Sequence, residues 1–152
     1  MTRYTPPMSR QQLIDITLLL LVLGVAAAVT APMLPAAFDG SAESWGGAFY
    51  STAARNLLRY GPSRVHFAMV VQTGPVVEAP LAYANHPPLV AWLVAAIFAA
   101  LGEGEVQARV VPWSLSLLAA GGMFALLRRA GATGLLSAAG ALLAVGTPMW
   151  AR

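Results

Sequence analysis

The chain has 152 residues, of which 58% are hydrophobic and 10% charged, and its mean hydropathy is +0.67. A soluble domain carries roughly 25% charged residues, so the composition points to a membrane protein. The net charge is only +3, the nine basic residues are scattered arginines, and there is no cysteine, which excludes a nucleic-acid stripe, a disulfide frame and a thiolate metal site.

Residues 1–12 are polar and contain Arg3 and Arg10. The run 13–34 that follows is long enough to cross a bilayer, which takes about 20 apolar residues. The preceding arginines place its amino end in the cytoplasm. Its small-residue stretch Ala28–Val29–Thr30–Ala31 also fits the cleavage site of a signal peptide, although the run is long for one and Pro32 would directly follow the cut. Asp15 lies near the start of the span, within reach of the interface.

Residues 35–88 are the most polar part of the chain and form an extracytoplasmic loop if the first span runs outward. From Ser41 to Tyr60 the sequence reads as a helix stopped by Gly61–Pro62. Trp45, Phe49, Ala53, Leu57 and Tyr60 share one face of it, and Thr52, Arg55 and Arg59 share another. An aromatic face opposite an arginine face fits an amphipathic helix lying in the membrane interface. From Val65 to Val77 the chain is apolar and β-branched, and short extended pieces are expected there, with Gly74–Pro75 as a turn.

Pro87 and Pro88 start the next helix, and the proline after His86 keeps that residue on extended chain. The apolar run 89–101 has a length typical of a re-entrant or interfacial segment. The runs 110–127 and 135–150 are two further spans. If all four runs cross, Arg128–Arg129 faces outside, against the positive-inside tendency; if 89–101 does not cross, the doublet is cytoplasmic. Both arrangements keep His86 near the outer surface. The expected fold is therefore an all-α integral membrane bundle with three or four transmembrane helices and an outer loop carrying an interfacial amphipathic helix. The chain ends directly after an apolar run, as a fragment of a larger bundle would.

Four groups of residues carry potential chemistry. Asp39 and Glu43 sit just past the first span; either could deprotonate an acceptor hydroxyl, and equally Asp39 or Ser41 could cap the next helix while Glu43 complements its dipole. Arg55 and Arg59 lie four apart on one helix face and could grip a phosphate or simply face lipid headgroups. His86 could carry a proton or contact a phosphate, or mark only the polar end of an apolar run; no metal-ligand spacing supports it. Glu105 and Arg109 read as a local ion pair.

Taken in order, a span, an acid, "AFYSTAARNLLRYG", "YANHPPLVAWLVAAIFAALG", "GEVQARVVPWSLSLL" and "LLRRAG" resemble the amino-terminal part of the family 39 glycosyltransferases, over about residues 13–152. The most specific pieces are "ARNLLRYG", "NHPPL" and "GEVQAR". The resemblance implies a multi-spanning GT-C enzyme of the bacterial inner membrane, taking a sugar from a polyprenyl-phosphate carrier on the extracytoplasmic face. The acceptor would be the hydroxyl of a lipid, a glycan or a protein, and membrane lipids would be the remaining partners. By this resemblance a carboxylate of the first outer loop is the catalytic base. Residues matching Arg55 and His86 contact the carrier phosphate, with Arg59 in support. A divalent metal is compatible with such chemistry, and no cofactor is specifically implied. His86 stands where many members carry lysine. The acidic position of the family falls near residues 44–47, which contain no acid, so Asp39 and Glu43 both stay candidates. The alternative is a small non-catalytic membrane scaffold or subunit.

Overall fold

The computed structural model describes residues 8–38, 42–73, 82–83 and 85–146, with side chains omitted at 42–45. Five helices make up most of it: α1 (Arg10–Thr30, extended by a 3-10 turn Ala31–Met33), α2 (Ala42–Tyr60), α3 (Leu89–Leu101), α4 (Glu105–Arg129) and α5 (Gly134–Val145). A two-residue antiparallel pair, β1 (Met69–Val70) with β2 (Ala82–Tyr83), lies between α2 and α3, with Met69 opposite Tyr83.

Local chemistry explains most of the boundaries. Ser9 caps α1 in a capping box with Gln12, satisfying backbone donors that the first turn leaves unpaired. α2 stops at Gly61, whose φ of +83° suits glycine. α3 starts at the two prolines and ends at Gly102, with φ +85°. Gly131, at φ +90°, turns the chain out of α4, and the Thr133 hydroxyl then caps α5.

The chain divides into two compact units, Met1–Ala31 with Leu115–Arg152, and Pro32–Ser114. In the first, α1, α5 and the second half of α4 meet around Val22, Ala120, Phe124, Ala138 and Ala141. Close approach is possible because the contact residues are small: a Cβ on Gly121 of α4 would sit 3.8 Å from Leu23 and 3.9 Å from Leu19 of α1. At the end of this unit Asp15 accepts from Arg128 at 2.7 Å and 3.1 Å, and Arg128 also donates to the Ala132 carbonyl at 2.5 Å. The outward surface carries bare leucines, among them Leu20, Leu118, Leu135 and Leu143.

In the second unit α2 packs on α3 and β1. Ala54, Val94, Ala95, Phe98, Ala108 and Val111 form one core, and Ala53, Met69 and Ala91 form another against Phe49, Tyr50 and Tyr83. The buried Asn56 amide donates to the Val70 and Gln72 carbonyls at 2.7 and 2.9 Å, tying β1 to α2.

Two helices, Arg10–Met33 and Glu105–Arg129, are long and apolar enough to cross a membrane. The run 135–150, expected as a span, is described only in part. Among the described residues it supplies only the 12-residue α5, about 18 Å long at 1.5 Å per residue, and residues 147–152 lie outside the description. α2 forms where expected, but much of its apolar face is covered by protein: Phe49, Ala53, Leu57 and Tyr60 pack into the cores of this unit. Glu105 and Arg109 do not pair with each other as their spacing suggests. Glu105 accepts from the Phe38 N–H at 3.2 Å, and Arg109 donates to the carbonyls of Leu34, Ala36 and Ala37 while its guanidinium lies 4.3 Å above the Phe38 ring. Non-local carbonyls left unpaired past the end of α1 are better partners for a guanidinium than an exposed carboxylate one turn away.

Candidate functional site

α2 positions the candidate cation. Its buried face is fixed by the core around Ala53 and Ala54, which turns Arg55 outward. Arg55 Nε donates to Glu103 Oε2 at 2.7 Å, with the two side chains 52% and 47% exposed. At that exposure the pair contributes little stability by itself; what it does is hold the guanidinium in one place. Around it is a cavity of about 390 Å³ lined by Phe38, Ala48, Ser51, Thr52, Arg55, Phe98, Glu103, Gly104 and Glu105. The Ser51 and Thr52 hydroxyls donate to the Gly47 and Ala48 carbonyls at 2.6 and 2.9 Å, so towards a ligand they present oxygen lone pairs. The cavity thus combines aromatic walls, one guanidinium and two carboxylates; its charged lining is net negative, so an anionic group reaches Arg55 only by displacing Glu103.

His86 belongs to a different depression. It is exposed, its ring stacks on Tyr83 of β2 with centroids 5.3 Å apart and an interplanar angle of 26°, and Phe49 of α2 meets it edge-on at 6.5 Å. The surrounding cavity, about 520 Å³, is lined by Ala68, Met69, Ala82, Tyr83, Asn85, His86, Pro87 and Pro88 and is mostly apolar. His86 precedes α3 and Glu103 follows it, so the two cavities are reached from opposite ends of that helix.

The structure therefore brings Arg55 together with Glu103 and Glu105, and it sets His86 among aromatic rings. Arg59 is exposed in the last turn of α2, 5.5 Å from the Tyr60 ring centroid, where a cation also complements the helix dipole. Asp39 and Ser41 lie outside the described residues, as does the side chain of Glu43, whose backbone forms part of the first turn of α2. Among the described residues no three His, Cys, Asp or Glu side chains are grouped to hold a metal.

Sequence reasoning passed over Glu103 and Asn56. Glu103 stands in the "GEGE" punctuation between two helices and reads as a polar loop; its partner is 48 positions away. Asn56 reads as one more polar residue of "ARNLLRYG", and the available signal is positional. On α2 it falls on the same side as Phe49, Ala53 and Tyr60, where an amide needs buried partners. No family model, curated protein or solved structure matches the chain.

Proposed function

We propose that the chain is the amino-terminal membrane portion of a glycosyltransferase that transfers a sugar from a polyprenyl-phosphate carrier to an acceptor hydroxyl on the outer face of a membrane. The observation that carries this reading is the Arg55 cavity, where a guanidinium and carboxylates meet on the connection between two helices of spanning length. In the transfer, the acceptor oxygen attacks the anomeric carbon and the bond from that carbon to the carrier phosphate breaks. Negative charge grows on the leaving phosphate, and a pre-placed guanidinium stabilises it more than it stabilises the bound donor. Arg55 takes this role, and a phosphate entering the cavity exchanges with Glu103 for its N–H groups. A carboxylate of the outer connection, Asp39 or Glu43, accepts the hydroxyl proton. His86, stacked on Tyr83 in the other cavity, is offered to a second part of the donor or acceptor and not to the phosphate held at Arg55, and Arg59 adds positive charge at the end of α2.

The test uses the full-length protein in lipid vesicles, with radiolabelled hexoses and pentoses on polyprenyl phosphate as donors. Sugar transfer that is lost in Arg55→Ala and in one of Asp39→Ala or Glu43→Ala supports the reading. Transfer unchanged in all of them, and in His86→Ala, overturns it.

A second reading, a non-catalytic membrane scaffold, has its own support. Arg55 is already paired with a carboxylate, and Arg55 and His86 line separate cavities. Under it these side chains are surface ion pairs and headgroup contacts, and alanine in their place changes neither sugar transfer nor folding.

A further inference from the structure

Two independent sets of contacts bear on whether α3 crosses the membrane. The first lies within the unit Met1–Ala31 with Leu115–Arg152. Asp15, near the start of α1, pairs with Arg128, near the end of α4. Further along, Leu19 and Leu23 of α1 flank Gly121 of α4. The two helices of spanning length are therefore antiparallel, with the amino end of α1 beside the carboxyl end of α4. If both cross, the chain joining them starts and finishes on one side, so an even number of crossings separates them. Among the described residues of that connection α3 is the one strongly apolar helix.

The second set lies within Pro32–Ser114. Arg55, ahead of α3, pairs with Glu103 behind it; Phe38 N–H donates to Glu105; and Arg109 reaches the Leu34, Ala36 and Ala37 carbonyls. Each bond ties chain preceding α3 to chain following it. A single crossing by α3 would put each pair of partners on opposite faces of a bilayer. At 13 residues, α3 is about 20 Å long, against a hydrocarbon core of about 30 Å.

α3 nevertheless turns an apolar stripe outward. Leu89, Trp92, Leu93, Ala96 and Ala100 are exposed at spacings of three and four, while Ala91, Val94, Ala95 and Phe98 face the core. Phe67 adjoins the stripe: its ring meets Trp92 edge-on at 6.1 Å, and its carbonyl accepts from Trp92 Nε1 at 3.1 Å. His66 and Phe67 both have positive φ, 53° and 55°, a costly conformation for residues with side chains, and Phe67 is left 55% exposed. Arg64, exposed in the same turn, gives it cationic character beside an apolar surface.

We propose that α3 does not cross the membrane but docks on its outer surface, with Leu89, Trp92, Leu93 and Phe67 at the boundary between headgroups and acyl chains and Arg64 among the lipid phosphates. An indole with its N–H satisfied and its body apolar suits that depth. This rests on the membrane part of the proposed function and not on sugar transfer. It follows that the His86 and Arg55 cavities, at the two ends of α3, open to the same aqueous compartment.

These 152 residues contain no cysteine, so single cysteines are placed in them on a background where any cysteine elsewhere in the full-length protein is replaced by serine. Ser9→Cys, Ser63→Cys, Leu93→Cys, Val106→Cys and Arg129→Cys, all at exposed positions, are made in the full-length protein and treated in spheroplasts with a membrane-impermeant maleimide. Ser63→Cys and Val106→Cys are expected to label at once, Ser9→Cys and Arg129→Cys only after permeabilisation, and Leu93→Cys slowly in both conditions. Ser63→Cys and Val106→Cys labelling from opposite sides overturns the inference, as does Leu93→Cys labelling as fast as Ser63→Cys, or all five labelling without permeabilisation. Sugar transfer measured on the same variants reports on the transferase reading separately: correct labelling without transfer removes the enzyme and keeps the docked helix.

Discussion

The two units bury different things. In Met1–Ala31 with Leu115–Arg152 the core is largely small: Ala26, Ala120, Ala138 and Ala141 are buried, while Leu20, Leu118 and Leu143 are 63%, 71% and 72% exposed. That inversion suits helices whose solvent is lipid, where association relies on close backbone approach and large apolar side chains lose nothing by facing outward. In Pro32–Ser114 larger side chains, Val65, Met69, Val94 and Phe98, are buried beside the alanines, Arg55, Arg64, His86 and Glu103 lie outside, and an apolar stripe on α3 with Phe67 stays exposed. The first unit shows the pattern of helices packed through small residues with large apolar side chains outward; the second carries the exposed charged side chains Arg55, Arg64 and Glu103.

The hydroxyl residues follow a local logic of their own. Thr17 and Thr30 on α1 and Ser137 on α5 donate to the carbonyl four residues back, at 2.9, 2.7 and 2.9 Å, which satisfies each polar group inside its own helix, as an apolar surround demands. The partners of Arg55 and Asn56 lie 48 and 14 or 16 positions away. Helical hydroxyls close within their own helix in both units, Ser51 and Thr52 of α2 included, while charged and amide side chains, Arg128 among them, hold distant segments together.

The sharpest way to separate the two units is by activity. Arg55→Ala removes the cation assigned to the leaving phosphate and should lower kcat of sugar transfer by about 10²–10³-fold, the cost of losing one transition-state donor. Melting in detergent should stay close to the parent, because the Glu103 pair is half exposed. The next effect is on stability and belongs to the unit Met1–Ala31 with Leu115–Arg152. Arg128→Ala breaks two hydrogen bonds to Asp15 and one to the Ala132 carbonyl and should cost about 2 kcal/mol, read as a lower melting temperature in detergent. Adding Asp15→Ala should recover part of that loss, since the stranded carboxylate goes with it. Asn56→Ala comes third. It leaves the Val70 and Gln72 carbonyls without their donor, at a cost of about 1–2 kcal/mol, and hydrogen exchange should show opening confined to β1.

Some of this was readable along the chain and some was not. The limits of α2 and α3 follow from Gly61, the two prolines and Gly102, because such residues act within their own neighbourhood. Among the described residues α5 ends at Val145 with Gly146 as its cap, a limit that hydrophobicity, which continues past Gly146, does not mark. Arg109 was misassigned by a local rule: four positions from Glu105 it looks paired, whereas three backbone carbonyls brought back by the turn after α1 bind it. The Asp15–Arg128 pair spans 113 positions and has no local signature, yet it places Arg128 at the same end as the start of α1, which the positive-inside tendency alone left open. Of the proposed site, Arg55 and His86 could be picked out in advance, but their separation into two cavities and the neighbour Glu103 depend on how α2 lies along α3.

Glu103→Gln probes the unit Pro32–Ser114 with a smaller effect. If the carrier phosphate exchanges with Glu103 for Arg55, an uncharged partner competes less, and KM for the donor should fall by about threefold with kcat unchanged. A rise in KM would make Glu103 a positioning residue for Arg55 instead, and no change would separate the pair from donor binding.

The smallest effect tests the inverted surface of the first unit. Leu118→Ala removes a large side chain from a position 71% exposed, so no cavity forms and the change in melting in detergent should be below about 0.5 kcal/mol. Leu118→Arg distinguishes the two environments that such exposure permits. On a water-facing helix an arginine at this position is nearly neutral. In the middle of a 25-residue helix embedded in lipid it costs about 2.5–3.5 kcal/mol on insertion scales, so membrane-fraction yield should drop sharply while Leu118→Ala is unaffected. Equal recovery of both variants from the membrane fraction would mean that α4 is not surrounded by lipid there, and the contrast between the two units would then reflect a missing protein partner and not a bilayer.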